Sequence, residues 1–234
     1  MRPDQALHLS GPPRRFVSRG GEKLDHALST FGVDPDGRNA LDAGVSTGGF
    51  TDRLLQGGAV RVLAYDVGYG QVHERIRTDP RVVVVERTNV RDLVPADIPP
   101  PRPDLLVADL SFISLALVLP GLSALLATPS EAVLLVKPQF EAERSEVGAG
   151  GIVRDVAVWR RALERVAAAG ERVAWAVRGA AASPLLGSKG NVEFLLYLGE
   201  GPGVEDHGAV LDAAIEEGML RRSGQEPDRH RRTP

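Results

Sequence analysis

The chain has 234 residues, of which 43% are hydrophobic, enough for one sizeable core, and its formal net charge of −3 neither demands nor forbids a nucleic-acid partner. The absence of cysteine excludes a disulfide framework, a thiolate metal site and a cysteine nucleophile, and no paired-histidine spacing points to a metal. No apolar run has the length of a membrane helix, since Leu115 to Leu126 is interrupted by Pro120, and the N-terminus lacks a basic-then-apolar signal, so a cytoplasmic protein with neither membrane nor metal partner is expected.

Residues 1–14 carry Pro3, Gly11, Pro12 and Pro13 with little apolar content and read as a flexible leader or linker remnant. Leu24, Ala27, Leu28 and Phe31 then recur at helical spacing until Gly32. Lys23 lies near the N-terminus of that helix, where the dipole disfavours a cation, so it reads either as a solvated lysine, which the pattern alone favours, or as one held there by a carboxylate elsewhere. Leu41 to Ala43 is a short strand that runs into Gly44-Val45-Ser46-Thr47-Gly48-Gly49-Phe50 and a helix to Gln56. Strands are expected at 60–66, 82–85, 105–109, 132–136, 171–177 and 192–198, and helices at about 71–78, 114–127 and 154–169. The four valines 82–85 suggest a strand buried on both faces. The small and charged residues after Glu141, through Gly148, Gly150 and Gly151, read either as a cover over the strand ends or as plain surface loop. Residues 200–234 read as a polar tail with one helical candidate at about 206–221. Strand alternating with helix gives an α/β fold, a mostly parallel seven-stranded sheet of Rossmann-like type over residues 15–199.

The glycine turn between strand and helix lets a ligand approach the backbone and aims free N–H groups at it. Asp66 ends the next strand about twenty residues later, where such folds place a carboxylate on a ribose. G-x-G-x-x-G is absent, and Asp42-Ala43-Gly44 with a later Asp looks like the S-adenosylmethionine (SAM) version. Candidate cofactor residues are therefore Asp42, Gly44, Ser46, Thr47, Gly48, Gly49, Phe50, Asp66 and Asp109, with Asn89 toward the adenine end. Gly44-Val45-Ser46-Thr47-Gly48 also matches the hydrolase elbow G-x-S-x-G, but His73 comes too early for a triad and His207 and His230 fall in the expected tail.

Asp42, Asp66, Asp109 and Lys137 all close or nearly close their strands and should face one crevice. Taken singly, Asp109 reads as a helix cap and Lys137 as a snorkelling lysine; together they form an acid/base pair. Glu193 is out of place at the start of an apolar strand.

The runs Val17-Ser18-Arg19-Gly20-Gly21-Glu22-Lys23-Leu24, Asp42 to Phe50, Asp66-Val67-Gly68-Tyr69-Gly70-Gln71, Ala108-Asp109-Leu110-Ser111-Phe112-Ile113-Ser114, Val136-Lys137-Pro138-Gln139-Phe140-Glu141 and Gly190-Asn191-Val192-Glu193 resemble the TlyA (hemolysin-like) family of rRNA cytidine-2′-O-methyltransferases, within the FtsJ-like class. The resemblance covers about residues 15–198 and implies a SAM-dependent enzyme acting on ribosomal RNA or ribosomal subunits. It also implies a Lys-Asp-Lys-Glu tetrad at Lys23, Asp109, Lys137 and Glu193, which reverses the solvated reading of Lys23. That family carries a small N-terminal RNA-binding domain, of which this chain is expected to hold at most the linker, and the loop after Glu141 is acidic here, with Glu143 and Glu146. RNA contacts would then fall to Arg14, Arg15, Arg19, Phe112 and Lys189. The alternatives are 2′-O-methylation of a free nucleoside or small hydroxylated metabolite, and a SAM- and RNA-binding module without catalysis. The hemolysin name has no counterpart in an amphipathic membrane segment.

Overall fold

Seven strands, β1 (Asn39–Ala43), β2 (Arg61–Tyr65), β3 (Val82–Val85), β4 (Leu105–Ala108), β5 (Glu131–Val136), β6 (Trp175–Ala182) and β7 (Phe194–Glu200), form one sheet in the order β3-β2-β1-β4-β5-β7-β6. The computed structural model describes residues 14–224, so the expected leader up to residue 13 and the arginine-rich end lie outside the described residues. β1 to β5 pair in parallel, and β7 runs antiparallel to both β5 and β6. The helices are α1 (Arg19–Phe31), α2 (Gly49–Gln56), α3 (Glu74–Arg77), α4 (Leu115–Ala124), α5 (Pro138–Glu141), α6 (Val156–Glu171) and α7 (His207–Ser223). Among the described residues, no helix is long and apolar enough to cross a membrane.

Successive strand residues alternate between two cores, as the period of a strand requires when both faces are covered. Leu63, Tyr65, Leu106 and Ala108 pack with Leu119, Trp159 and Leu163 on one face. Val62, Ala64, Leu105 and Val107 pack with Leu24, Leu28, Phe50 and Leu54 on the other. Trp159 is 1% exposed and donates its indole N–H to Val153 O at 3.1 Å, so it is buried with its polar atom satisfied.

The structure departs from the sequence reading at four elements. β3 is an edge strand and Val83 is 41% exposed, because a valine run records strand propensity as readily as double burial. α3 is a single turn, not a helix over 71–78. Gly170 does not end α6: it lies inside the helix, where a Cβ would come within 2.8 Å of Leu198 Cδ1, so its missing side chain permits close packing on β7, and β6 begins only at Trp175. α7 lies against β6 with Leu211, Ala214, Ile215 and Gly218 buried, a narrow stripe at helical spacing that the polar composition conceals.

Candidate active site

β1 and β4 are neighbours at the point where strand order reverses, and a crevice of about 780 Å³ opens beyond their C-terminal ends. Gly44 lines it at φ 92°, and a Cβ there would stand 2.7 Å from Asp109 O, so only glycine fits. Asp66 lines the same crevice, its Oδ2 accepting from Ser46 N and its Oδ1 from Gly68 N, both at 2.7 Å. One carboxylate thus ties the glycine turn to the end of β2. Ser46, Asn89 and Asp109 complete the expected residues in this wall, and Asn89 Oδ1 also accepts from Arg91 N at 3.1 Å.

The remaining residues of the glycine turn are not in this wall, although a smaller space beside them shares Gly44, Ser46 and Asp109 with the crevice. Thr47, Gly49 and Phe50 border a small cavity of about 70 Å³ shared with Ser18 and Gly20. Phe50 is 3% exposed and belongs to the core beneath α1. A Cβ on Gly48 would lie 2.8 Å from Ile76, and one on Gly49 would overlap Ser18 and lie 2.8 Å from Gly21 N, so these glycines bring helices together. Asp42 is fully buried and is not part of the crevice wall: its Oδ2 accepts from Thr51 Oγ1 at 2.6 Å and its Oδ1 has no partner. Burial, reinforced by the charges of Asp109 and Asp66 and opposed by the Thr51 hydrogen bonds, pushes its carboxyl up to about 7.

A second cavity of about 350 Å³ adjoins the first through Ser111 and Phe112, and its wall includes Lys137, Phe140, Lys189 and Glu193. Lys137 Nζ lies 2.6 Å from Asp109 Oδ1 and donates to Ser111 Oγ at 2.9 Å. Lys23 Nζ, carried in by α1, lies 2.5 Å from Glu193 Oε2, with both side chains largely buried. Glu193 reaches the second cavity because β7 is antiparallel: the residue before its first position stands at the same end of the strands as the residue after the last position of β5, Lys137. Phe112, at φ 65°, is 92% exposed, and its ring lies 5.2 Å from that of Phe140.

The expected RNA contacts are not equivalent. Arg14 and Arg19 are exposed at the start of α1. Arg15 is bound to Asp25 through both terminal nitrogens, at 2.5 and 3.1 Å, and Arg53 shares that carboxylate. Lys189 takes φ 57° in the turn ahead of Glu193.

Sequence reading missed Phe140, Glu141 and Asn191. Phe140 had a signal, since Pro138 marks a helical first turn directly after Lys137 and so turns the chain back over it. Glu141 had none: it is 2% exposed, capping α4 by accepting from Ser114 Oγ at 2.5 Å and Leu115 N at 2.6 Å, and burial pushes its carboxyl up against those bonds. Asn191, 2% exposed, accepts from Val153 N and donates to Gly151 O, so the glycine-rich loop is pinned beside the second cavity. Of the histidines weighed for the hydrolase elbow, His73 Nδ1 accepts from Arg75 N, His207 opens α7 and His230 lies outside the described residues.

The sequence matches the family of FtsJ-like methyltransferases over residues 16–200. It is 52% identical over 185 residues to the 16S/23S rRNA (cytidine-2′-O)-methyltransferase TlyA of Mycobacterium tuberculosis, in an alignment spanning 79% of this chain and 69% of that protein. The fold is similar to the crystal structure of a hemolysin-named protein from Lactococcus lactis, with 44% identity, a TM-score of 0.80 and coverage of 85% of this chain and 97% of that one. It is also similar to Aeropyrum pernix fibrillarin, solved with bound S-adenosyl-L-methionine, at 12% identity, a TM-score of 0.53 and coverage of 77% and 76%, a likeness of fold alone.

Proposed function

The chain belongs to the FtsJ-like methyltransferase family, and from that premise we propose that it transfers a methyl group from SAM to a ribose 2′-hydroxyl of cytidine in ribosomal RNA. The observation that carries this reading is that two part-buried ion pairs, Lys137–Asp109 and Lys23–Glu193, each place one member, Lys137 and Glu193, on a cavity that shares a wall with the crevice at the β1–β4 switch point.

The residues of the larger crevice fit SAM: a carboxylate at the end of β2 suited to ribose hydroxyls, a glycine whose position has no room for a side chain, and Asn89 farther along the wall. When bound, SAM supplies a methyl carbon activated by a sulfonium. Asp66 would hold the ribose, and the backbone of Gly44 and Ser46 would border the cofactor.

On the acceptor side, Lys137 has three N–H groups, of which one faces Asp109 and one Ser111, leaving a third for the substrate oxygen. Asp109 orients the amine, and the Lys23–Glu193 pair completes the charge arrangement. As the 2′-oxygen bonds to the methyl carbon it loses its proton. A neutral Lys137 takes that proton; a charged one stabilises the developing alkoxide while water takes it, and the pH–rate profile separates the two. Phe112 and Phe140 offer an aromatic surface for a base.

The test is incubation with SAM and either ribosomal subunits or nucleosides, with the methyl located by mass spectrometry. Methylation of a cytidine 2′-oxygen in subunits is expected. Methylation of free nucleosides alone would replace RNA as substrate, and no methylation of either would leave only a binding module. Lys137→Ala should abolish turnover with SAM affinity nearly unchanged, because its amine acts on the acceptor at the transition state. Parallel loss of SAM binding and activity would make Lys137 structural.

A further inference from the structure

The turn between β6 and β7 has a sterically defined slot in it. Gly187 N donates to Asn191 O at 2.8 Å, Gly190 N donates to Gly187 O at 3.2 Å, and the closed turn delivers Glu193 to the second cavity. Gly187 has φ −71° and ψ −168°, a conformation open to any residue, so the backbone does not require glycine there. Space does. A Cβ at this position would overlap Oε1 of Glu193 and lie 2.5 Å from its Cδ and 3.0 Å from its Cγ.

The Glu193 carboxylate is therefore enclosed between Gly187 on one side and Lys23 Nζ, at 2.5 Å, on the other, with its side chain 3% exposed. Any group added at 187 has one soft neighbour to displace, and that neighbour is the carboxylate itself.

We propose that Gly187 is a positioning residue: the absence of a side chain there holds open the space in which Glu193 grips Lys23 at the acceptor end of the site. Asn191 fixes the turn that carries Gly187, because its side chain fastens the turn to Gly151 O and Val153 N at 2.8 and 3.0 Å. The proposal rests on the reading of Lys23–Glu193 as part of the transfer machinery. A pair fixed in this way acts on turnover, since misplacing a charge by a fraction of its contact distance weakens its action at the reacting oxygen while leaving the SAM crevice untouched.

The test is a double-mutant cycle of Gly187→Ala and Glu193→Ala on the full chain, reading kcat, SAM affinity by calorimetry and thermal unfolding, with a crystal structure of Gly187→Ala. Gly187→Ala should lower kcat on the order of 10- to 100-fold with SAM affinity unchanged, and its structure should show the Lys23–Glu193 pair opened. In the Glu193→Ala background the same change should cost nothing further in kcat or Tm, because the atoms it displaces are gone. Additive losses would overturn the proposal, as would wild-type kcat in Gly187→Ala with the pair intact. If Gly187→Ala alone does not fold, a double variant with the Tm of Glu193→Ala supports the slot, and a misfolded double variant overturns it. If Glu193→Ala itself keeps wild-type turnover, the tetrad reading fails independently, and the crystal structure then decides: a displaced carboxylate supports the slot and a retained pair refutes it.

Discussion

Asp42 and Asp66 sit at the ends of neighbouring strands, and their surroundings give them opposite roles. Asp66 borders the crevice with both oxygens on backbone N–H groups and lone pairs to spare. Asp66→Ala should weaken SAM binding by ~1.5–3 kcal/mol, the scale of hydrogen bonds to a charged group, and calorimetry with an unchanged Kd would remove Asp66 from the cofactor site. Asp42 is sealed beneath the crevice, and its carboxyl is pushed from 3.8 up to about 7. The folded chain then keeps a proton that the unfolded chain releases, so stability falls as pH rises from about 4 to about 7 and stays low above that. Asp42→Asn retains an acceptor for Thr51 and cannot ionise. It should unfold at a higher temperature than the parent at pH 8, by a free energy on the order of 4 kcal/mol at most, and the gain should vanish near pH 4. A Tm difference independent of pH would refute the buried-carboxyl account. The spacing that marks a cofactor turn is visible in sequence, but which of its residues faces the ligand is decided by α1, which lies over Gly49 and Phe50 and leaves Gly44 and Ser46 to the crevice.

At the level of elements, legibility followed periodicity. β1, β2, β4 and β5 are short apolar runs punctuated by charged strand-end residues, and their positions agree with the reading to within one or two residues. β6 was obscured because Gly170 in the last turn of α6 resembled a stop, whereas α7 was expected at about 206–221 and only its packing against β6 was hidden by a polar surface. The odd position of Glu193 was a true signal whose meaning depended on strand direction: in a parallel β7 it would stand at the far edge of the sheet, and only the antiparallel pairing with β5 brings it to Lys137. α1 supplies Lys23 and meets α2 where Gly49, lacking a side chain, lies against the backbone of Gly20 and Gly21. Gly49→Ala should push α1 outward, lowering stability by ~1–3 kcal/mol as over-packing does and reducing turnover through Lys23. A stable variant with full activity would show that the crossing tolerates the extra methyl.

Across the whole molecule, clusters of paired charge stand at both ends of the central strands. At the N-terminal strand ends, Glu131 takes Arg38 at 2.6 Å and the Tyr197 hydroxyl at 2.5 Å, Arg178 lies 3.4 Å away and Asp104 pairs with Arg38 at 3.1 Å, so two cations and two carboxylates balance. At the opposite strand ends Lys137 pairs with Asp109 and Lys23 with Glu193, so under the proposed function RNA phosphates would meet exposed cations outside these pairs, among them Arg14 and Arg19 on the approach to α1 and Lys189 on the second cavity. Arg15 stands beside them but is held by Asp25. Each phosphate contact contributes about −0.7 to −0.9 to the slope of log K against log salt, so a surface with these three contacts should give a shallow slope of about −2 to −3. Arg14→Ala combined with Arg19→Ala should flatten it by about 1.5 to 2 and leave SAM affinity alone, whereas Arg15→Ala should change the slope little because its charge is already spent on Asp25. Titrating labelled RNA against the variants over a range of salt concentrations checks this. An equal flattening by Arg15→Ala would mean that RNA displaces Asp25, and no flattening by the double change would move the RNA track away from α1 altogether.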